Sequence, residues 1–201
     1  MSDPAAAQRR MWTVGDYSAI AHHLRPISVE TVAALDLRPG DTVLDVGVGD
    51  GNAAIEAKAL SEMRRVCVPG GTVALTSWAA GSWSTEWRGR AARFLPPPPP
   101  GTSTPDDWGD VDEVIRRFTA ARLDVRVEER RFAFRFPSER ACLETFTTKA
   151  GPFVVFLEAV AAQGQREEAL DEFRAVIAAS NRAADGTCVL PANYLLAIAH
   201  R

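Results

Sequence analysis

The chain has 201 residues and a mass of 21.8 kDa. That length suffices for one compact core hiding about 70% of the unfolded surface, and is short for two independent cores. Apolar residues make up 46% and charged residues 24%, which excludes disordered, collagen-like and disulfide-framework classes. A formal charge of −3, without blocks of like charge, gives a nucleic-acid partner no support.

Ser28 followed by Glu30 reads as a helix start. Val29, Val32, Ala33 and Leu35 recur at helical spacing until Arg38, Pro39 and Gly40 stop it. Asp41–Val46 is a short β-branched run of the kind buried on both faces of a parallel sheet, and predicts the first strand. A glycine-dense turn, 47–52, leads into a helical stripe through Ala53, Ile55, Leu60, Met63 and Val66, with Lys58 and Glu62 spaced for an i, i+4 pair.

Pro69, Gly70 and Gly71 break that helix, and 72–77 reads as a second buried strand joined to the first by a right-handed parallel crossover. Trp78, Trp83 and Trp87 follow, the last two at helical spacing, and then a stiff spacer of five prolines, Pro96 to Pro100. Val111, Val114, Ile115 and Phe118 define an amphipathic helix. Val125, Val127, Phe132, Phe134 and Phe136 alternate as one strand. Pro137 and Ser138 open a helical region, interrupted near Gly151 and Gly164, that runs to about Asn181. Cys188–Leu190 and Tyr194–Ala199 read as one last strand.

Cys67, Cys142 and Cys188 lack the paired spacing of a zinc or redox site and read as reduced, partly buried small hydrophobes. No metal site is expected. Without a long apolar run or a signal core at the start, the chain is expected to be cytoplasmic, with no membrane partner. Its basic residues are 21 Arg and 2 Lys, read as spread over solvated faces rather than as an anion site.

Gly47, Gly49 and Gly51 fit G-x-G-x-G. Glycine there lets the backbone turn from strand to helix and lets its amides approach a ligand without a Cβ in the way. The dinucleotide fingerprint needs a third glycine where Asn52 stands, and an acidic residue some 20 positions on, where 65–68 offer none. A nicotinamide or flavin enzyme is therefore disfavoured. A turn used only for close packing remains the alternative.

Val43–Asn52 resembles motif I of class I S-adenosylmethionine-dependent methyltransferases, and Val66–Ser77 resembles the entry to that fold's fifth strand. Trp12, Gly15, Asp16 and Tyr17, with Trp108, 132–137 and 186–199, are similar to the type 11 or ubiquinone/menaquinone-biosynthesis branch. The resemblance implies an α/β fold: a shortened Rossmann-like sheet keeping the equivalents of strands one, five, six and seven, in the order 1-5-7-6 with the last strand antiparallel, and a helical cap. One domain, 1–201, is expected. It divides into an N-terminal helical cap, 1–40, the motif unit and following strand, 41–77, an aromatic and proline-rich loop with helix and strand, 78–136, and a helical insertion with the C-terminal strand, 137–201.

The resemblance also implies methyl transfer from S-adenosylmethionine to a small-molecule acceptor. Its cofactor residues would be Tyr17, Asp45, Gly47, Gly49, Gly51 and Asn52: glycine amides near the methionine end, Asp45 on the loop or amino group, and Tyr17 over the site. Asp50 would repel the donor's carboxylate unless paired or turned to solvent. In that fold, strands two, three and four lie between motif I and the fifth strand. Here one helix joins Gly51 to Pro69, so two βαβ-sized pieces, roughly 60 residues, are missing. By the resemblance they carry the acidic residue that holds both ribose hydroxyls, a residue that positions the adenine, and much of the wall beside the methyl donor. Losing two charge-assisted hydrogen bonds at about 1.5–3 kcal/mol each predicts cofactor binding weakened roughly 10²- to 10⁴-fold, or absent.

No catalytic base is assigned. His22 and His23 could deprotonate an acceptor, though adjacent helical residues face different sides, and His200 is expected to be solvated. Trp78, Trp83 and Trp87 are expected in a core rather than stacked on an acceptor. The competing reading is a non-catalytic remnant serving as a binding or dimerisation module; a third is that the function belongs to a longer parent. Loss of strand four would bare a sheet edge, and a homodimer across it is the corollary.

Overall fold

The computed structural model describes residues 10–11, 13–44, 56–97 and 104–201. The helices are α1 (Tyr17–Ala34), α2 (Glu56–Val66), α3 (Trp83–Ala91), α4 (Val111–Ala120), α5 (Glu139–Lys149), α6 (Gly151–Ala161) and α7 (Arg166–Ser180). The strands are β1 (Thr72–Trp78), β2 (Asp124–Arg130), β3 (Ala133–Phe136), β4 (Cys188–Pro191) and β5 (Tyr194–His200). The fold is mixed α/β with antiparallel sheets. Where length predicts one core, the contacts gather into two compact units. One comprises 1–25, 83–97 and 133–191, and the other 26–82, 98–132 and 192–201.

In the second unit a three-stranded sheet has the order β1-β5-β2, and β5 runs antiparallel to both neighbours. Alternation along the strands divides its faces. Val73, Leu75, Leu195, Ala197, Ala199, Val125 and Val127 enter a core with Leu60 and Met63 of α2, Val114 and Phe118 of α4, and Trp108. Helix α4 starts where the Asp110 carboxylate accepts the Glu113 amide at 2.9 Å, an N-cap that satisfies one of the orphan donors of the first turn.

The expected first strand is corrected. Asp41–Leu44 belongs to no strand, and Val43 and Leu44 are 60% and 68% exposed, so the apolar run is not buried in a sheet. Residues 45 and 46 lie outside the described ones. The expected order 1-5-7-6 is not seen: among the described residues the strands pair as β1-β5-β2 and β3-β4, every hydrogen-bonded pair is antiparallel, and no crossover joins 41–44 to β1 as neighbouring parallel strands.

The first unit holds α5, α6 and α7, α3, and the two-stranded sheet β3–β4. Ser138 caps α5 by accepting the Ala141 amide at 3.1 Å, and Gly164, at φ 74°, falls in the break between α6 and α7. The break before α6 needs a glycine for a different reason: a Cβ on Gly151 would lie 2.0 Å from the Met11 carbonyl oxygen. Arg90 of α3, and Arg93 in the 3₁₀ turn Ala92–Phe94 that follows it, bond Glu172 and Glu168 of α7 at 2.9 Å each.

Two expected strands are each divided. The alternation from Val125 to Phe136 breaks at 131–132 into β2 and β3, and Cys188 to Ala199 breaks at 192–193 into β4 and β5; the pieces lie in different sheets. The helix expected from Ser28 begins eleven residues earlier, at Tyr17, and passes through Pro26, which lacks the N–H that would reach back one turn.

Candidate functional site

Strands β1 and β2 run in the same direction, on either side of β5, and end at Trp78 and Arg130. The register sets both opposite Tyr194, giving a row Trp78–Tyr194–Arg130 across the end of the sheet. All three side chains belong to the face away from the core. The Trp78 ring lies 5.9 Å from that of Phe132.

Tyr194 is the centre of this edge. It is buried, and its hydroxyl donates to Glu30 Oε2 of α1 at 2.5 Å. Burial first, and then that bond, push its phenol up to about 12. Arg130 bonds Glu128 at 2.8 Å, and Asn193 donates to Glu129 at 2.7 Å. The carboxylates at this edge are therefore each tied to a neighbour.

At the other end of the same face, Ala34, Leu35 and Asp36 with Thr72, Asp124, Arg126, Ile198 and His200 line an open groove of about 490 Å³. Thr72, His200 and Asp124 form its cross-strand row, and Thr72 Oγ1 lies 3.2 Å from His200 Nδ1.

Of the six residues expected to touch a cofactor, Tyr17 is described, half-buried at the start of α1 in the first unit; Asp45, Gly47, Gly49, Gly51 and Asn52 lie outside the described residues, as does Asp50. The structure therefore brings no pair of them together on view. His23 packs its ring 4.6 Å from Phe136 and 6.1 Å from Phe134; burial first, and His22 second, lower its pKa. It is an aromatic-packing histidine, while His22 and His200 are exposed.

Trp83 and Trp87 are buried among Phe134, Phe146, Phe153, Phe156 and Phe173, with Trp87 stacked on Phe153 at 5.6 Å and 9°. The indole N–H of Trp83 is buried without a partner. Cys142 and Cys188 are fully buried hydrogen-bond neighbours whose thiols are raised chiefly by burial; Cys67 is half-buried, and all three are free. Among the described residues no group of three or more His, Cys, Asp or Glu is arranged to hold a metal ion, and no helix is long and apolar enough to cross a membrane.

The sequence reading used Glu30 only as part of a helix start and Tyr194 only as part of the last strand, and did not single out Arg130. Glu30 and Tyr194 stand 164 positions apart, and no local pattern joins them.

No family model matches the chain. An uncharacterized protein of Mycobacterium tuberculosis and one of Mycobacterium bovis are each 47% identical to it over 55 residues, which is 27% of this chain and 20% of theirs. A second uncharacterized M. tuberculosis protein is 43% identical over 54 residues, 26% of this chain and 20% of its own length. The match thus spans about one fifth of the length of these curated relatives.

Proposed function

We propose that this chain has the fold and the ancestral chemistry of a class I methyltransferase: S-adenosylmethionine-dependent methyl transfer to a small-molecule acceptor. The observation that carries the reading is the strand order. Behind a segment that resembles motif I, the last strand of the chain lies between β1 and β2 and antiparallel to both. That is what the resemblance implies for strands five, seven and six.

A second reading has its own observation. Asp41–Leu44 stands outside any strand with Val43 and Leu44 exposed, and Glu30, Glu128 and Glu129 are engaged by their neighbours, which favours a non-catalytic remnant acting as a binding or dimerisation module. Under the first reading alignment, rather than a dedicated base, would dominate transfer to a good nucleophile. Titration calorimetry with S-adenosylhomocysteine separates the two. Micromolar affinity lost in Gly49→Val supports methyl transfer; absence of heat at millimolar ligand removes it and leaves the remnant.

A further inference from the structure

In the first unit two thiols meet where helix α5 starts and strand β4 begins. Only Pro137 and Ser138 separate the end of β3 from α5, so the helix folds back over the β3–β4 sheet. The register sets Phe136 opposite Cys188 and Phe134 opposite Leu190, which puts these four buried side chains on one face. Phe146 of α5 covers that face, its ring 5.4 Å from Phe134 and 5.7 Å from Phe136. Cys142 stands one turn before Phe146 on the same side of the helix, and it hydrogen-bonds Cys188. Asn181 clasps the same junction independently of the thiols. Its side-chain amide donates to Glu139 Oε1 at 3.0 Å and to the Thr187 carbonyl at 3.1 Å, and its oxygen accepts the Val189 amide at 2.9 Å.

We propose that Cys142 and Cys188 close into a disulfide when the protein meets a hydroperoxide, cross-linking the first turn of α5 to the start of β4. In their hydrogen bond Cys142 is the donor and Cys188 the acceptor, so Cys188 supplies the attacking sulfur. Its thiolate bonds one oxygen of hydrogen peroxide and the O–O bond breaks. A sulfenic acid forms on Cys188, and the departing hydroxide takes up the proton that the thiol released, leaving as water. The Cys142 sulfur then attacks the Cys188 sulfur: the S–S bond forms, the S–O bond breaks, and the hydroxyl leaves with the Cys142 proton as a second water. The two thiols are oxidised by two electrons in all, and the peroxide is reduced to water. Burial keeps both groups protonated and makes the first step slow. Contact makes the second step fast, because the resolving sulfur is in place before the sulfenic acid forms. Neither cysteine belongs to the proposed cofactor segment, so the outcome is independent of the titration with S-adenosylhomocysteine.

The test uses the full chain carrying Cys67→Ser, which removes the half-buried third thiol. After exposure to hydrogen peroxide, thiols are counted in guanidinium and the chain is weighed by mass spectrometry. The expected product has no titratable thiol, is a monomer lighter by two hydrogens, and yields a proteolytic fragment in which Cys142 and Cys188 are linked. The two residues stand 46 positions apart, so the bridge restricts a long loop of the unfolded chain, and the urea midpoint is expected to rise by about 1–2 M. Dithiothreitol reverses every one of these changes. Cys142→Ala and Cys188→Ala, each added to Cys67→Ser, show no rise. Circular dichroism before and after oxidation checks the fold. The proposal is overturned if Cys142 and Cys188 both stay free under conditions that fully oxidise Cys67 of the wild type, if they gain oxygen in place of a bridge, if the bridge forms between chains, or if its closure leaves the midpoint unchanged.

Discussion

Replacing Tyr194 by Phe removes one oxygen and leaves the buried ring in place, so its effect isolates the tie between β5 and α1. That oxygen donates to a carboxylate at 2.5 Å, a class of bond contributing about 1.5–3 kcal/mol. Glu30 is exposed and can turn to water when the phenol is gone, which places the expected loss near the lower end, about 1.5 kcal/mol. Urea unfolding at pH 7 measures it, and a double-mutant cycle with Glu30→Gln assigns it to the pair. The alkaline limb is the sharper arm. A phenol held at about 12 in the folded chain, against 10 when unfolded, contributes stability that is fully present below pH 10 and is lost as pH rises through 12. The bound on that contribution is about 3 kcal/mol, since each pH decade corresponds to about 1.4. The chain has only two tyrosines, Tyr17 and Tyr194, so ultraviolet titration of the Tyr194→Phe variant separates their ionisations cleanly. A variant whose stability at pH 7 matches the wild type, or a Tyr194 that ionises near 10, refutes the reasoning.

Gly151→Ala drives a methyl to 2.0 Å from the Met11 carbonyl oxygen and 2.6 Å from that of Val14, both backbone atoms, so the start of α6 has to move. Overpacking of that kind is expected to cost about 3 kcal/mol, read as a fall in thermal midpoint; an unchanged midpoint would falsify the packing described. In the native protein at mildly alkaline pH a thiol reagent is expected to modify Cys67 while sparing the buried Cys142 and Cys188, and to reach all three in guanidinium. Fast native modification of Cys142 would contradict its burial.

Helix boundaries in the second half of the chain were legible because the signals act within one turn. Ser138 satisfies an amide three residues on, and Gly151 and Gly164 stand at the breaks between helices. The alternation through β1, β2 and β5 likewise marks the inward row of each strand before any partner is known. The same local logic misplaced the start of α1. Ser28 with Glu30 has the composition of a cap, yet the helix runs through Pro26 from Tyr17, and Glu30 turns out to accept from Tyr194 rather than to serve a helix terminus.

By itself the sequence determined which segments are helix and which are strand over most of the described chain, since propensity, capping and hydrophobic period are short-range properties. Only the tertiary structure decided that the alternating runs 125–136 and 188–199 each divide between two sheets. Nothing in a continuing two-residue period marks where a strand changes partners. Only the structure decided that Asp41–Leu44 stays out of the sheet, and that Trp78, Tyr194 and Arg130 share one edge. Membership of a sheet and of a site depends on which distant segments meet, and that is settled by the packing of whole faces.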